Sequence, residues 1–381
     1  MLIANGITGI RDMGGQLAVI KKSKSEISHD SMVGPRIMAA GPILYGSSAA
    51  SPTHIAVPSA EIATHIVDSL KRTGADFIKV YSFIPRQCYY AIVKETQKLK
   101  MQLVGHVPLT VSLIEAADAG QTSIEHFDFP YFVQECARDF ARFRNNDLAR
   151  EYQLTRPFDT ASTPAWIAQI HELDSALLQF DQTKADSIYR HFAKNHTWQC
   201  PTFISLKMFL KMRDTSLMQH PLMKYAYSQW IRQDWNYKKR SLLSAMTDEE
   251  WNILGRLYLK NLEIAGDMKK RGIRFLAGSD VNTPFIYPGF SLHKELELFV
   301  QTGFTPLEAL QTATINPAVF FRMEDSLGTV NEGKYADLII LNANPLDDIA
   351  NTQRIDAVIV RGKYYGRKDL DSLLESVAAK K

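Results

Sequence analysis

The stretch Asp76-Phe77-Ile78-Lys79-Val80-Tyr81 has the length and apolar character of a short buried strand, and it carries a lysine near its carboxyl end. Three further runs of this kind end in residues of types that can bind metal ions, namely His106, His126 and Asp280. The carboxyl ends of parallel strands meet at one edge of a sheet, where ligands bind. We therefore expect these four side chains to share one site. The further runs are Gln102–His106, Thr122–His126 and Arg274–Asp280.

Short apolar runs alternate with helical patterns along most of the chain, which predicts an α/β fold with a parallel sheet and right-handed crossovers. The helical patterns cover Ser59–Thr73, Cys88–Lys100 and Thr110–Asp118, and Gly74 suits the end of the first of them. The seven predicted strands are one fewer than the eight of a closed (β/α)8 barrel. Besides the four runs above, they are Thr8–Met13, Arg36–Gly41 and Trp198–Phe203.

Two segments, residues 131–195 and 204–270, are longer than a simple crossover and rich in charged and aromatic residues. We interpret them as helical insertions packed on the barrel rim. The alternative is a lid or pocket wall, because long loops at the catalytic face of a barrel often carry specificity. The run Thr305-Pro306-Leu307-Glu308 is a capping box and predicts a helix that continues through Ala313.

The tail of the chain has a different character from the barrel region. The runs Leu338–Leu341 and Ala357–Arg361 favour strands, and the turn-rich Asn344–Asp348 separates them. A β unit of this size has too little core to stand alone, so we expect it to pack on an N-terminal set of strands. This interpretation gives a barrel over residues 1–322 and a small C-terminal β unit over residues 323–381.

Composition limits the partners of the protein. The formal net charge is +3 and no basic run stands out, so we expect no nucleic-acid partner. The three cysteines are widely spaced without a Cys-x-x-Cys pair, which argues against a disulfide framework or a cysteine zinc site. No apolar stretch is long enough to span a membrane, and no signal peptide is visible. The compartment stays open: cytoplasmic, or periplasmic or secreted if a signal peptide lies upstream. The sequence is compatible with a homo-oligomer.

Lys79 is the most unusual of the four candidate ligands. A lysine that points into a barrel is costly unless it is paired or modified. Desolvation lowers the pKa of a lysine and makes its amine nucleophilic, so that it can take up CO2 as an anionic carbamate that bridges metal ions. The alternative is a structural lysine that pairs with a neighbouring carboxylate such as Glu125.

His106 and His126 end consecutive predicted strands, which places both imidazoles side by side at one end of the barrel. Neutral imidazole is a common zinc ligand, although a single histidine at a strand end is more often structural. Asp280 could bind metal and accept a proton from a metal-activated water. It could equally cap the following segment. We also consider His54, in the loop after the second predicted strand, and Tyr81 as residues that contact a substrate.

Together these stretches resemble the metal-dependent amidohydrolase superfamily, in particular its imidazolonepropionase-like and dipeptidase-like group. The resemblance covers nearly the whole chain apart from the two long insertions. The matching stretches are Leu2–Gly15, Phe77–Tyr81, Gly105–Pro108, Ser123–His126, Ala277–Asp280, Thr305–Leu310, Ala313–Ala318 and Gly328–Pro345.

The resemblance implies a distorted TIM-like (β/α)8 barrel that binds one or two divalent metal ions, often zinc, beside a composite β-sandwich built from both termini. Lys79 would be the carboxylated bridging ligand, His106 and His126 would bind one metal, and Asp280 would be both ligand and general base. Substrates of the family are small amides, dipeptides and cyclic amides, and some members hydrolyse esters.

The chain departs from the family pattern at its front. No two of the ten histidines are two residues apart, so the His-x-His pair that ends the family's first strand is missing. We expect a barrel without its first strand, which binds at most one metal ion well and is a weak catalyst unless a preceding segment exists.

Three functions are compatible with these observations. The first is metal-dependent hydrolysis of an amide, peptide or cyclic-amide C–N bond. The second is a non-catalytic or weakly active truncated barrel that binds a small ligand. The third is a barrel enzyme that uses Lys79 as a Schiff-base nucleophile. The two histidines and the aspartate suit metal chemistry better than imine chemistry, so the first function is the one we expect.

Overall fold

The computed structural model describes residues 1–47, 51–128, 131–149, 163–226, 229–281 and 283–378. They form two compact units. The strand unit comprises Gly9–Cys200 and Lys270–Arg274, and the tail unit comprises Met1–Thr8, Pro201–Lys269 and Phe275–Lys381. The domain boundary predicted between residues 322 and 323 stays a prediction.

The described residues of the strand unit form eight short strands in two parallel sheets. One sheet pairs β1 with β2, and the other has the order β4-β3-β5-β6-β7-β8. This confirms an α/β fold with a parallel sheet, and six of the seven predicted strands are present. The strands are β1 (Gly9–Asp12), β2 (Arg36–Ala39), β3 (Ile43–Leu44), β4 (His54–Ile55), β5 (Ile78–Val80), β6 (Leu103–Gly105), β7 (Ser123–Glu125) and β8 (Trp198–Cys200).

Helices follow the strands as the sequence predicts. In α2, Ser59 caps the N-terminus by accepting a hydrogen bond from the backbone of Ile62, and Gly74 ends the helix in the left-handed conformation. The segment between β7 and β8, predicted as a helical insertion, is helical where the structure describes it. The helices of this unit are α1 (Leu17–Ser28), α2 (Ala60–Thr73), α3 (Arg86–Lys98), α4 (Leu113–Asp118), α5 (Tyr131–Glu135), α6 (Phe140–Ala149), α7 (Thr163–Leu178) and α8 (Gln182–Lys194).

The register of three adjacent strands fixes the edge at which the predicted site lies. Lys79 of β5 is opposite Val104 of β6, and Val80 is opposite Gly105. Gly105 has φ +121°, and a side chain there would collide with the carbonyl oxygen of Val80. Glycine therefore allows β6 to approach β5 closely, just before the chain reaches His106.

A single side chain shows that the strands curve. Arg11 of β1 donates hydrogen bonds to Ser123 and Glu125 of β7, although β1 pairs with β2 in one sheet and β7 lies two strands beyond β5 in the other. The backbone of Asp76, just before β5, bonds to Ala39 of β2 and connects the two sheets. In a flat arrangement β1 and β7 would be roughly 19 Å apart, far beyond the reach of one arginine. The strands therefore bend around a shared interior.

Two predicted strands differ from the structure. The run Trp198–Phe203 is a strand only as far as Cys200, because Phe203 already begins a helix. The prediction of a strand over Arg274–Asp280 is wrong. This segment has no regular secondary structure apart from a single bridge residue at Phe275. Asp280 has φ +52°, a left-handed conformation that does not continue a strand.

The tail unit contains the second predicted insertion, which is also helical, and a three-stranded antiparallel sheet of order β11-β10-β9. Both β-prone runs are confirmed as β9 and β10, and the Thr305 capping box is present. The elements of this unit are α9 (Phe203–Lys211), α10 (Gln229–Ala245), α11 (Asp248–Lys270), α12 (Phe290–Gln301), α13 (Pro306–Ala313), α14 (Ile315–Phe320), β9 (Leu338–Leu341), β10 (Ile355–Val360), β11 (Lys363–Gly366) and α15 (Arg367–Ala378).

The tail sheet packs on the N-terminus of the chain, as predicted, but through a 3-10 turn rather than strands. Ile3 and Ala4 of the turn Ile3–Asn5 lie in one apolar cluster with Val358 of β10 and Leu370 of α15. Nε2 of His293 lies 3.1 Å from the carbonyl oxygen of Asn5, so this histidine connects α12 to the N-terminal turn. Across the described helices of the chain, none has the length and apolar character required to cross a membrane.

A buried carboxyl group at the start of α9 provides a prediction for stability. Glu295 is fully buried and accepts hydrogen bonds from the backbone of Phe203 and Ile204. Burial raises the pKa of Glu295 to about 8, and the two backbone bonds only partly oppose this. The unfolded carboxyl has a pKa of about 4.3. Between these values the folded chain binds more protons than the unfolded chain, so stability falls as the pH rises from about 4.5 to about 8.

The variant Glu295→Gln stays neutral and removes this contribution. We expect the wild type to lose up to about 1.4 kcal/mol more per pH unit than the variant between pH 6 and pH 8. Urea unfolding at both pH values measures the difference. Equal pH slopes in the two proteins would show that Glu295 ionises in the folded state as it does in water.

Candidate metal centre

Three of the four predicted metal ligands come together in the strand unit. Lys79 lies on β5, and His106 and His126 directly follow β6 and β7, which are the next two strands of the same sheet. Lys79 is only 6% exposed. The structure thus confirms that Lys79, His106 and His126 lie at one edge of the parallel sheet. Their function as metal ligands stays a prediction.

The two imidazoles have a spacing that suits a shared metal ion. The ring centroids of His106 and His126 are 5.1 Å apart and the rings meet edge to face. Two imidazoles bound to one tetrahedral ion through nitrogens at 2.0–2.1 Å have centroids roughly 5 Å apart. The spacing of the rings therefore fits two ligands of a single ion.

His106 is held from several directions. Its Nδ1 lies 2.9 Å from the hydroxyl of Ser82, and its ring stacks on Tyr81 with centroids 4.2 Å apart. Burial, together with the nearby His126 and Lys79, lowers the pKa of His106 well below its usual value. The imidazole is consequently neutral at neutral pH, which is the form that binds metal.

The interior around Lys79 is rich in charge. Glu125, the carboxylate that offered a structural partner for this lysine, is bound by Arg11 at 2.7 Å and by the hydroxyl of Ser123 at 2.6 Å. Burial alone would raise the pKa of Glu125, but Arg11, Ser123 and Lys79 outweigh it, so the pKa is lowered. Asp12 of β1 is also near: burial raises the pKa of Asp12 against the opposing effect of Gly14 and Lys79.

The two candidate substrate residues belong to an aromatic cluster beside these ligands. His54 contacts Tyr45 at 4.6 Å, and Tyr81 stacks on Tyr45 at 5.1 Å, as measured between ring centroids. The ring of Tyr81 thus stacks on two neighbours, Tyr45 and His106, and its contact with a substrate stays a prediction. Burial and the charge of Lys79 lower the pKa of His54, so this imidazole is also neutral at neutral pH.

Asp280, the fourth predicted ligand, belongs to the tail unit. It is exposed and follows an irregular segment in which the backbone of Ala277 bonds to Thr312. The hydroxyl of Thr283 donates to one carboxylate oxygen of Asp280 at 2.7 Å. This bond orients the carboxylate and leaves its other oxygen available. The role of Asp280 as ligand and base stays a prediction.

The donor set fits a metal ion only if Lys79 contributes. Within the described parts of the chain, no three imidazole, thiol or carboxyl groups lie together in a way that could hold a metal ion. Two imidazoles alone are too few, because zinc centres normally have at least three protein ligands. A carbamate on Lys79 would supply the third donor from the adjacent strand. The residues therefore fit a divalent ion with a modified lysine.

Sequence reasoning missed several residues of this region. Arg11 stands in a strand but gives no local sign that it reaches β7, and Tyr45 follows a strand of only two residues. Ser82 lies three residues from Lys79 and resembles any loop serine. Ser82 directly follows the predicted strand Asp76–Tyr81. Its polar side chain at that position was the one available sign that it could belong to the site.

Comparison with known proteins assigns the family. The model of the amidohydrolase family matches residues 1–364. This chain belongs to the amidohydrolase family. The match extends across both compact units and includes all four predicted ligands, which confirms the resemblance recognised in the sequence.

Individual relatives are similar over different lengths. An ochratoxinase from Aspergillus niger is 34% identical over 115 residues, which is 30% of this chain and 23% of that protein. A solved structure of a bottromycin amidohydrolase has a TM-score of 0.72 at 22% identity and covers 99% of this chain and 75% of the other. A Xaa-Pro dipeptidase structure has a TM-score of 0.61 at 19% identity and covers 95% and 76%, respectively. The solved structures establish the fold, and the ochratoxinase match spans about a quarter of that enzyme's length.

Proposed function

We propose that this amidohydrolase binds a divalent metal ion, zinc in the first place, and hydrolyses a C–N bond in a small amide, dipeptide or cyclic amide. The observation that carries the proposal is the pair of imidazoles of His106 and His126, 5.1 Å apart, beside the buried Lys79. The strands that present them would belong to a (β/α)8-type barrel without its first strand, and the curvature implied by Arg11 and the fold of the solved relatives support a barrel.

Lys79 becomes a ligand by reaction with CO2. The neutral amine attacks the carbon of CO2, a C–N bond forms, one C=O π bond shifts to oxygen, and the amine releases one proton. The product is a carbamate whose two oxygens carry one negative charge. The released proton passes to the buffer, and the neutral amine becomes an anionic oxygen donor that complements the nitrogen donors of His106 and His126.

The side chains divide the remaining work. When bound, the metal ion polarises the scissile carbonyl and lowers the pKa of a water molecule towards ~7. Asp280 accepts a proton from the attacking water and delivers it to the leaving nitrogen, so the amine departs uncharged. His54 and Tyr81 hydrogen-bond to the substrate at the same edge of the sheet.

The relatives support a C–N bond as the target. Ochratoxinase, bottromycin amidohydrolase and Xaa-Pro dipeptidase are the names of proteins that share the fold or part of the sequence. The last two names refer to an amide or peptide bond. Small amides with a free carboxylate or an adjacent ring are therefore the substrates to test first.

The proposal is tested with the full chain, stripped of metal by a chelator and then reloaded with zinc in bicarbonate buffer. Amine release is measured on a panel of dipeptides, N-acyl amino acids and small lactams. We expect hydrolysis of at least one class that disappears with the chelator and returns with zinc. Zinc binding without hydrolysis of any class would favour a ligand-binding protein, and borohydride trapping of a carbonyl compound on Lys79 would favour Schiff-base chemistry.

A further inference from the structure

The ion pair between Arg11 and Glu125 is a costly feature of the strand unit. The two side chains are 13% and 3% exposed, and their closest atoms are 2.7 Å apart. Removing two charges from water costs several kcal/mol per ion, so an apolar pair of similar volume is often at least as stable. Stability alone therefore gives little reason for a buried ion pair at this place.

The geometry of the pair offers a different reason. Arg11 of β1 donates hydrogen bonds to both ends of β7, to its first residue Ser123 at 3.0 Å and to its last residue Glu125 at 2.7 Å. Ser123 also donates to Glu125, so the carboxylate is held on both oxygens. These contacts fix the last side chain of β7 across the interior of the curved strands.

The backbone changes direction directly after this fixed point. His126 has φ +60° and Phe127 has φ +54°, so two successive residues other than glycine adopt the left-handed conformation. Such a conformation is strained for residues other than glycine and persists only where the surroundings enforce it. Phe127, which follows His126, is buried, and Glu125, which precedes His126, is fixed by its bond to Arg11.

We propose that Arg11 is a positioning residue, which clamps Glu125 and thereby holds His126 in the strained backbone conformation that presents its imidazole beside His106. This inference rests on the proposed function, because it makes the ion pair part of the metal centre. In this role Arg11 acts through Glu125. Its contribution is to keep the second imidazole at the 5.1 Å spacing that suits a shared ion.

The test replaces the whole pair, so that no charge is left buried alone. In Arg11→Met with Glu125→Gln, the amide keeps an acceptor for Ser123 while both charges disappear. We expect the double variant to unfold at a urea midpoint close to that of the wild type and to bind zinc 10- to 100-fold more weakly, as loss of outer contacts to a metal ligand usually does. The single variant Arg11→Met removes the ion-pair partner of the buried Glu125 and should unfold at a clearly lower urea midpoint than the double variant.

The matched control removes another ion pair in the same unit. Lys98 and Glu95 lie 2.6 Å apart on α3, away from the strand ends, and Lys98→Met with Glu95→Gln should leave the zinc dissociation constant unchanged. Zinc affinity is measured by competition with a chromophoric chelator. Unchanged affinity in the Arg11 and Glu125 double variant, with zinc still bound by the wild type, overturns the clamp and leaves the proposed function standing. A wild-type chain that binds no zinc overturns both.

Discussion

Replacing Asp280 with asparagine should reduce kcat about 10³-fold at saturating zinc, with little change in folding. The carboxylate is exposed and oriented by Thr283, and an amide of the same shape still accepts that hydrogen bond. An amide cannot take a proton from water at neutral pH, so proton transfer to the leaving nitrogen loses its base. Positioned proton transfer contributes 10²- to 10⁴-fold in enzymes.

Steady-state kinetics on the best substrate of the panel measures this effect. Asp325→Asn, another exposed aspartate of the tail unit, is the matched control and should keep wild-type kcat. A decrease below 10-fold in Asp280→Asn would assign the proton transfer to another group. Asp12, whose pKa is raised mainly by burial, would then be the next residue to replace.

Replacing Lys79 with methionine should abolish zinc-dependent hydrolysis, with a loss of at least 10³-fold. Methionine has nearly the volume of lysine but no amine, so no carbamate forms and the strand unit keeps only the imidazoles of His106 and His126 from the predicted ligand set. The protein should fold at least as well as the wild type, because an apolar side chain replaces a charged group that is only 6% exposed.

Carbamate formation adds a condition that a structural lysine would not share. Wild-type protein stripped of metal should regain zinc slowly in CO2-free buffer and rapidly with bicarbonate. Lys79→Met should show no response to bicarbonate. Full activity of Lys79→Met, or recovery of the wild type that is independent of CO2, would show that the lysine is not a carboxylated ligand.

The local parts of this structure could be predicted from the sequence. Ser59 and Gly74 mark the ends of α2, and the Thr305 capping box starts α13, because each signal acts within a few residues. The strands that carry Lys79, His106 and His126 could be identified for the same reason. Each is a short apolar run that ends in a polar residue.

The parts that depend on distant residues could not be predicted. Arg11 bonds to Glu125, which is 114 positions away in the sequence. Glu295 accepts hydrogen bonds from the first two residues of α9, which are 92 and 91 positions away. Trp198–Phe203 was expected to be one strand because the pattern contains no sign of Glu295. Arg274–Asp280 was expected to be a strand because it is an apolar run. The left-handed conformation of Asp280 cannot be read from the residue types in such a run.

The measurement that tests the metal centre most directly is zinc binding by the full chain and by the double variant His106→Asn, His126→Asn. Equilibrium dialysis in bicarbonate buffer, followed by metal analysis, gives the zinc bound per chain. The account predicts one tightly bound zinc ion in the wild type and none in the folded variant. Equal zinc in both proteins, or none in the wild type, would contradict the centre built from Lys79, His106 and His126.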